Sequence, residues 1–350
     1  MTFIYEFKKL ALSPLVLSLA ALCILVNLMF LLVEYDGMTP QNQDHSAADA
    51  LAAEAANIFE GYRTAGIAEF YISALRLTGT NAEHIRGKYE ALQLVVDRRA
   101  AGGDAPRTYF DGQTSDFQVL LFGKLFMYLS AEVGLLALLA ALLSTTHEQM
   151  RGTESAIYAS KTGRRVQVVK LCASLSVSAL LSVLVIGLSL LIFFALFDFS
   201  IVWNANVSSV FDHALGETKP FITWHSFTVA GYLWAAIGIG IGLALCCCLL
   251  GYACGIGARS AYLAFGTAVS VLAILYLIPR APFMPYGSIA RGAWGLNPVW
   301  LWKSSGTWFT DGRADMVWAH FETLGLCASL AVFAAAAGFA YRSLQRRELH

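Results

Sequence analysis

Long apolar segments constrain the fold of this chain more than any other feature of its sequence. Its 350 residues are 57% hydrophobic and only 14% charged, whereas soluble domains carry about 25% charged residues. An apolar run of about 20 residues can cross a bilayer as a helix. Six such runs predict an all-α membrane protein with about six transmembrane helices. The predicted spans are residues 14–33, 117–143, 171–197, 225–250, 261–278 and 317–341.

Two further helical elements are predicted outside the spans. Residues 1–13 show an amphipathic pattern typical of a helix that lies on the cytoplasmic membrane surface. Residues 34–116 are polar and predict an extracellular helical hairpin, with helices over about 46–77 and 81–100. A lid, a substrate receptor, a partner surface and a spacer all fit this hairpin. In the helix predicted over residues 1–13, the apolar face consists of Phe3, Ile4, Phe7, Leu10 and Ala11.

Prolines and tryptophans distinguish residues 279–315 from the four spans within residues 171–341. Tryptophan gathers at membrane interfaces. Short apolar pieces interrupted by proline predict re-entrant half-helices that dip into the outer leaflet, with their backbone covered by protein. An aromatic loop that rests on the bilayer fits the same composition, so both alternatives stay open.

Polar residues in the second span predict a site within the membrane. Lys124, Tyr128 and Glu132 are four residues apart and therefore share one helical face. An ionisable group at mid-bilayer is costly unless it faces water or a partner. Glu132 is therefore a candidate for a pathway or a subunit contact, although a polar contact between helices that fixes their packing is the alternative. A similar stripe in the third span, which we interpret as packing first and pathway second, consists of Ser174, Ser178 and Ser182.

Basic residues are concentrated in the connection between the second and third spans, residues 144–170. Loops rich in lysine and arginine stay on the cytoplasmic side of a membrane. This connection and both chain ends, including the tail 342–350, are therefore predicted to be cytoplasmic. The connection also has helical signals: Thr146 is predicted to cap a helix that begins at His147, and Gly163 is predicted to end it.

A family resemblance rests on this connection. The residues that carry it are Glu148, Gly152, Thr153, the run of small apolar residues to Ser160, Gly163, Arg164, Arg165 and Lys170. They resemble the loop between the second and third spans of the ABC-2 type transporter permeases, although Ser160-Lys161-Thr162 stands where many members have Ser/Thr-Pro. In that family the loop is a coupling helix that docks on a separate ATP-binding subunit. The coupling residues that the resemblance implies here are Glu148, Arg151, Gly152, Thr153, Ser160, Lys161, Gly163, Arg164 and Arg165.

The six spans, the interfacial helix and the basic connection together resemble the ABC-2 layout over nearly the whole chain. The resemblance implies the permease subunit of an ABC exporter in a plasma membrane, with an amphipathic substrate such as a peptide antibiotic, a lipid or a drug. It also implies a dimer with a second permease copy or paralogue. ATP and Mg²⁺ are then expected on a partner ATPase subunit. The outer segment is a simple predicted hairpin without cysteine, which favours a bacterial membrane.

Several motifs are absent from the sequence. It contains no Gly-x-x-x-x-Gly-Lys-Ser/Thr phosphate-binding loop and no Leu-Ser-Gly-Gly-Gln signature, so we expect no ATP hydrolysis by this chain itself. The run Cys246-Cys247-Cys248 fits no common zinc spacing, and we interpret its thiols as packing groups. The net charge of zero gives no indication of nucleic-acid binding.

Two functions of other classes remain. A membrane enzyme or intramembrane protease needs paired ionisable residues at matching depth, whereas only Glu132 is plainly deep. A membrane sensor or assembly scaffold that does not transport would use the hairpin to bind a partner. Transport predicts ATPase activity that responds to a ligand, whereas a scaffold predicts partner binding without such activity.

Overall fold

The structure, a computed structural model, describes residues 2–38, 57–102, 113–153, 157–158, 163–198, 202–214, 217–258 and 260–346. It is mainly helical. In chain order its elements are α1 (Thr2–Ala11), α2 (Pro14–Met38), α3 (Ala65–Ala74), α4 (Thr80–Ala101), α5 (Gln113–Gln118), a π-helix (Val119–Leu125), α6 (Phe126–Met150), α7 (Val166–Leu196), β1 (Phe211–Ala214), β2 (Glu217–Pro220), α8 (Val229–Gly257), α9 (Ala261–Leu277), α10 (Ile289–Gly295), α11 (Pro298–Lys303) and α12 (Phe321–Arg346).

Six helical stretches among the described residues are long and apolar enough to cross a membrane, which confirms the predicted number. The second stretch joins α5, the π-helix and α6 without a break, and the others are α2, α7, α8, α9 and α12. Of the residues in the apolar window of each stretch, 67% are buried inside the protein in the second stretch and 61% in the fourth. In the fifth stretch only 11% are buried. The exposed sides of the outer helices are apolar, which is the arrangement expected of a multi-pass membrane protein.

The second span extends further than predicted. Its helix continues through Thr146 and His147 to Met150, so no new helix begins at His147 and that prediction is wrong. The Thr146 hydroxyl does not cap a helix but donates a hydrogen bond to the Leu142 carbonyl at 2.8 Å. Such bonds to the carbonyl four residues back satisfy a hydroxyl inside a continuous helix. The span therefore carries the first residues of the predicted connection as its own last turns.

Helix α1 directs Glu6 and Lys9 towards the protein, whereas Lys8 is exposed. Glu6 is buried, whereas Phe3 and Ile4, from the predicted apolar face, are 41% and 58% exposed. Leu10 is buried, so that face is divided between protein and surroundings. A soluble protein would gain nothing from this orientation, but a helix at a bilayer surface gains from directing large apolar side chains outwards.

A second hydrophobic core lies at the opposite end of the bundle. Helices α3 and α4 contribute most of it, and Ile222, Trp224 and Ala314 come from the segments before α8 and before α12. Buried Arg99 of α4 donates to the Thr223 carbonyl at 3.1 Å. We call residues 57–102, 202–214, 217–228 and 281–320 the cap. Of the predicted helix over 46–77, the structure has only α3, Ala65–Ala74. Residues 57–64 form turns instead, so the prediction is wrong there, and residues 39–56 lie outside the described residues.

The Trp-rich segment forms short helices, as its broken apolar pattern predicts. The Trp302 indole of α11 donates to the Met127 carbonyl of α6 at 2.6 Å. The Asn297 amide, at the start of α11, donates to the Leu275 carbonyl of α9 at 3.1 Å. The segment therefore packs between the second and fifth spans. Its depth in a membrane stays a prediction.

Candidate functional site

A buried carboxylate joins three helices at the end of the bundle that holds α1. Glu148, near the end of α6, accepts a hydrogen bond from Lys9 of α1 at 3.0 Å through Oε1. Its Oε2 accepts a short hydrogen bond from Lys170 of α7. Glu6 of α1 lies 3.7 Å from Lys9. We call Glu6, Lys9, Glu148 and Lys170 the loop-end cluster, and its two carboxylates balance its two ammonium groups.

The loop-end cluster is well shielded from solvent. Glu148 is 7% exposed and Lys170 only 1%. Removing one partner from a buried ion pair costs about 3–5 kcal/mol, because the other charge is left without compensation. The cluster therefore fastens α1 to the last turn of the second span and the first turns of the third. The family resemblance implied that Glu148 lies at a docking surface, whereas the structure buries its carboxylate.

Gly152 and Thr153 end the second span. Gly152 has a positive φ of 67°, the left-handed conformation that glycine adopts without a steric cost. Its N–H donates to the Gln149 carbonyl at 3.2 Å, and the Thr153 N–H donates to the Glu148 carbonyl at 3.0 Å. These two bonds form a Schellman motif, which satisfies carbonyls that the helix end leaves free. The glycine and threonine of the resembling motif thus have a structural role here.

The other predicted coupling residues lie around the end of α6 and the start of α7. Arg151, Thr153 and Arg165 are exposed, and Arg164 is half-buried. Gly163 has a φ of 50° and begins the 3₁₀ turn that leads into α7. Ser160 and Lys161 lie outside the described residues.

The C-terminal end of α12 lies at the same end of the bundle. The Arg164 guanidinium donates a short hydrogen bond to the Gln345 carbonyl, near the end of that helix. Lys9 brings the N-terminal helix to the same end through Glu148. Both terminal helices therefore meet the basic connection.

The polar face of the second span contacts the first span of the same chain. Glu132 accepts a hydrogen bond from the Asn27 amide at 2.7 Å, and this amide also donates to Ser189 at 3.0 Å. Asn27 is buried and Glu132 half-buried. The contact thus joins three spans, which is the packing alternative considered for Glu132. Asn27 was missed by the sequence reasoning, although an amide within an apolar run was a signal.

Lys124 and Tyr128, the other two residues of this face, contact side chains of α2, the helix that carries Asn27. The Lys124 ammonium lies 2.8 Å from the Glu34 carboxylate. The Tyr128 ring packs edge-on against Phe30, with 4.9 Å between the ring centres. The shared face was predicted correctly, and its neighbour is α2.

The predicted serine stripe of the third span is buried, as packing residues are. Its members are Ser174, Ser178 and Ser182.

A second buried carboxylate holds the cap together. Asp311 accepts hydrogen bonds from Lys219 at 2.8 Å and, at shorter range, from the Tyr89 hydroxyl. Burial alone would raise the pKa of Asp311, but Lys219 and Lys88 lower it below its usual range. Burial lowers the pKa of Lys88 to about 8, against the opposing effect of Asp311. We call Lys88, Tyr89, Lys219 and Asp311 the cap cluster.

The Lys88 ammonium is enclosed by backbone oxygens of one loop. It donates to the carbonyls of Asp311 at 3.1 Å and Met316 at 3.0 Å, and more closely to that of Arg313. The three N–H donors of the ammonium are thereby used. The sequence reasoning missed this role. Its signal was a lysine next to Tyr89 on the apolar face of α4.

Neither cluster has the ligand set of a metal site. Among the described residues, no group of three or more His, Cys, Asp or Glu side chains could hold a metal ion. Comparison with models of known protein families finds no match, and comparison with curated proteins finds none either. The function must therefore be argued from the chain itself.

Proposed function

We propose that this chain is the permease subunit of an ATP-binding-cassette exporter of the ABC-2 type, driven by a separate ATPase subunit. The observation that supports the proposal is the loop-end cluster. Glu148 fastens the N-terminal helix to the second and third spans, on either side of the basic connection. A partner that moves this connection would move three helices together, which is what an energy-coupling element requires.

In this proposal the basic connection contacts the ATPase, and the loop-end cluster transmits the movement from inside. Arg151, Thr153 and Arg165 are exposed and form the contact surface. Glu148 is a positioning residue, because its carboxylate is enclosed by Lys9 and Lys170. The connection and both chain ends then face the cytoplasm of a bacterial cell, with the cap outside. The re-entrant arrangement of residues 279–315 belongs to the same proposal.

The rest of the transporter comes from other polypeptides. ATP and Mg²⁺ bind to the ATPase subunit, and a second permease copy or paralogue completes the pathway. The substrate is amphipathic, of the class of peptide antibiotics, lipids or drugs. The exposed apolar sides of the outer helices offer surfaces for lipid and for the second permease.

The test is co-purification of the full chain with its candidate ATPase, the product of an adjacent gene. We expect Arg151→Glu with Arg165→Glu to abolish the complex or its ATPase activity, because both side chains are exposed and their charge is reversed. The matched control is Arg98→Glu, an exposed arginine of the cap. A complex that survives the double reversal unchanged, or the absence of any complex with the wild type, would contradict the proposal.

A membrane sensor or scaffold is the alternative, and the cap is the observation that favours it. The α3–α4 hairpin shares a hydrophobic core with two other segments, so the cap is a folded unit that could present a partner surface. This function predicts that the cap captures a partner without any associated ATPase activity. The same co-purification separates the two proposals, since only the exporter loses its partner when the charges of Arg151 and Arg165 in the connection are reversed.

A further inference from the structure

An apolar cavity lies between the second, fourth and fifth spans, beside the short helix α11. Its volume is about 190 Å³, and its wall is almost entirely hydrocarbon. An apolar cavity of about 150 Å³ in a soluble protein stays dry and binds a molecule the size of benzene. This cavity is therefore large enough for part of a hydrocarbon chain. Its larger wall residues are Leu135, Leu138, Leu243, Leu272, Val299 and Trp302.

The wall offers a ligand almost no polar contact. The indole N–H of Trp302 is already used, because it donates to the Met127 carbonyl at 2.6 Å. Ser130 adjoins the cavity, but its hydroxyl oxygen is buried and has no hydrogen-bond partner among the described residues. Cys247 contributes a thiol, which is only a weak hydrogen-bonding group. Glu132 belongs to the face of α6 that contacts the first span and is not in the wall. The occupant must therefore be apolar where it meets the wall.

The second and fourth spans are already in contact on either side of the cavity. A Cβ at Gly134 of the second span would lie 3.3 Å from the Cys247 sulfur of the fourth. A Cβ at Gly251 of the fourth span would lie 2.7 Å from the Leu138 carbonyl oxygen of the second. Close-packed helices resist further approach. These two spans therefore cannot close the cavity by moving together.

Helix α11 forms another side of the cavity and is attached to two spans. The Asn297 side-chain oxygen caps it by accepting from the Val299 and Trp300 N–H groups at 2.9 and 3.1 Å. The Asn297 nitrogen donates to the Leu275 carbonyl of the fifth span at 3.1 Å. Trp302 attaches the other end of α11 to the second span. Because both ends are held, this wall keeps its shape without a ligand.

The cavity opens on the outer surface of the bundle, beside the fifth span. Leu135 of its wall is 45% exposed, and Leu272 and Val299 are half-buried. The fifth span adds little cover, since most of it is not buried by the protein. Leu135 and Leu243 lie near the middle of their spans, far from either end. At that depth of a bilayer there is no water, so acyl chains are what reaches the opening.

We propose that this cavity binds an acyl chain of a membrane lipid. An empty apolar cavity forfeits the dispersion contacts of its wall, and a hydrocarbon chain restores them without needing a hydrogen bond. The lipid headgroup stays outside, because no charged side chain of the described residues lines the cavity to receive it. The site is separate from the loop-end cluster and requires no ATPase, so it does not depend on the proposed exporter function.

The test uses the full chain in lipid nanodiscs that contain phosphatidylcholine with a diazirine in one acyl chain. Illumination attaches this probe to side chains within reach, and mass spectrometry of the digested protein locates the adducts. Ala131→Phe adds a ring to the wall from the second span, and Leu272→Trp adds one from the fifth. We expect each variant to lower the adducts on the wall at least about tenfold at limiting probe, because displacing two buried CH₂ groups already corresponds to about that factor.

The matched control is Ala273→Phe. Ala273 follows Leu272 but is exposed on the fifth span and is not in the wall. Wall adducts in the wild type and the control, lost in both filling variants, support the proposal.

Four outcomes would overturn this assignment. The first is a wild type with adducts only on outward side chains such as Leu191 of the third span, which is 67% exposed. The second is wall adducts that both filling variants retain, and the third is an equal loss in the control. The fourth is a p-benzoylphenylalanine at position 135 that crosslinks to a second copy of the chain instead of lipid, because a subunit contact would then cover the opening.

Discussion

The loop-end cluster and the cap cluster contain the same charge motif, a buried carboxylate with two lysines, in different settings. Glu148 accepts from lysines of two separate helices, and every partner in its cluster is a side chain. Asp311 belongs to a loop, and Lys88 donates to three backbone carbonyls of that loop. The first cluster joins helices that could move as a group, and the second fixes the path of the backbone.

The two clusters also differ in how closely the neighbouring backbone is packed. Gly152, next to the loop-end cluster, has no heavy atom of the described residues within 4 Å of the position that a Cβ would occupy. Gly312, next to the cap cluster, would place a Cβ 2.8 Å from Met316 and from Phe321. Both glycines have a positive φ, so the backbone requirement is shared and only the space differs. As far as the described residues show, the turn at Gly152 is therefore open, whereas the backbone at Gly312 is closely packed.

Lys88→Met is expected to have the largest effect. The variant leaves three loop carbonyls without their donor, and Lys88 is only 5% exposed, so the cost is on the order of 5 kcal/mol. The measurement is unfolding in detergent followed by the tryptophan fluorescence of the cap. Arg86→Met is the control, because Arg86 lies on the same helix with an exposed partner, Glu69. Equal stabilities of the two variants would show that Lys88 does not hold the loop.

Glu148→Leu comes next, with an expected loss of about 3 kcal/mol, because Lys170 becomes a buried charge without a carboxylate. Adding Lys170→Met is expected to restore much of the stability, since an apolar pair avoids the cost of a buried charge. Unfolding midpoints of the two single variants and the double variant measure the coupling. If the double variant is as unstable as the sum of the single variants, the pair is not coupled as the structure indicates.

The two glycines test the packing difference directly. Gly312→Ala is expected to cost about 2–3 kcal/mol, because a close contact is added to the left-handed backbone strain. Gly152→Ala is expected to cost about 1 kcal/mol, from the backbone strain alone. Thermal unfolding of both variants in the same detergent gives the comparison. A larger loss at Gly152 would reverse the assignment of the open and the packed end.

The smallest expected effect is a pH dependence at Asp311. Its pKa is lowered in the folded chain, so its stabilisation is complete above its ordinary value of 3.8 and is lost as the pH falls through the lowered value. Asp311→Asn does not titrate and therefore provides the reference without this pH dependence. The difference between wild type and variant should therefore shrink as the pH falls below about 4. Hydrogen exchange of the α4 amides measures it, and a difference that grows on acidification would contradict the prediction.

Much of the architecture could be predicted from the chain because it depends on local composition. The number of spans follows from runs of apolar residues that are each long enough to cross a bilayer. The shared face of Lys124, Tyr128 and Glu132 follows from helical spacing. The end of the second span could not be placed in this way. Its helix continues through polar residues because Glu148 has partners on other helices, and a window of local sequence does not contain them.

The candidate sites depend on partners that are distant in sequence. Glu148 is 139 residues from Lys9, and Asp311 is 223 residues from Lys88. The family resemblance identified Glu148 as notable but implied a docking surface for it, whereas its partners Lys9 and Lys170 bury it. No role was predicted for Lys88. A lysine on an apolar helical face is explained only by the carbonyls that surround it, and these are distant in sequence.

The sequence by itself determined which segments are helical and apolar, because hydrophobicity and helical periodicity are properties of neighbouring residues. The tertiary structure alone decided which charges are buried together, because a buried charge is tolerated only where the fold supplies its partner. Asn27 and Glu132 illustrate both levels. Each is a visible polar residue in an apolar run, and only helix packing joins the two.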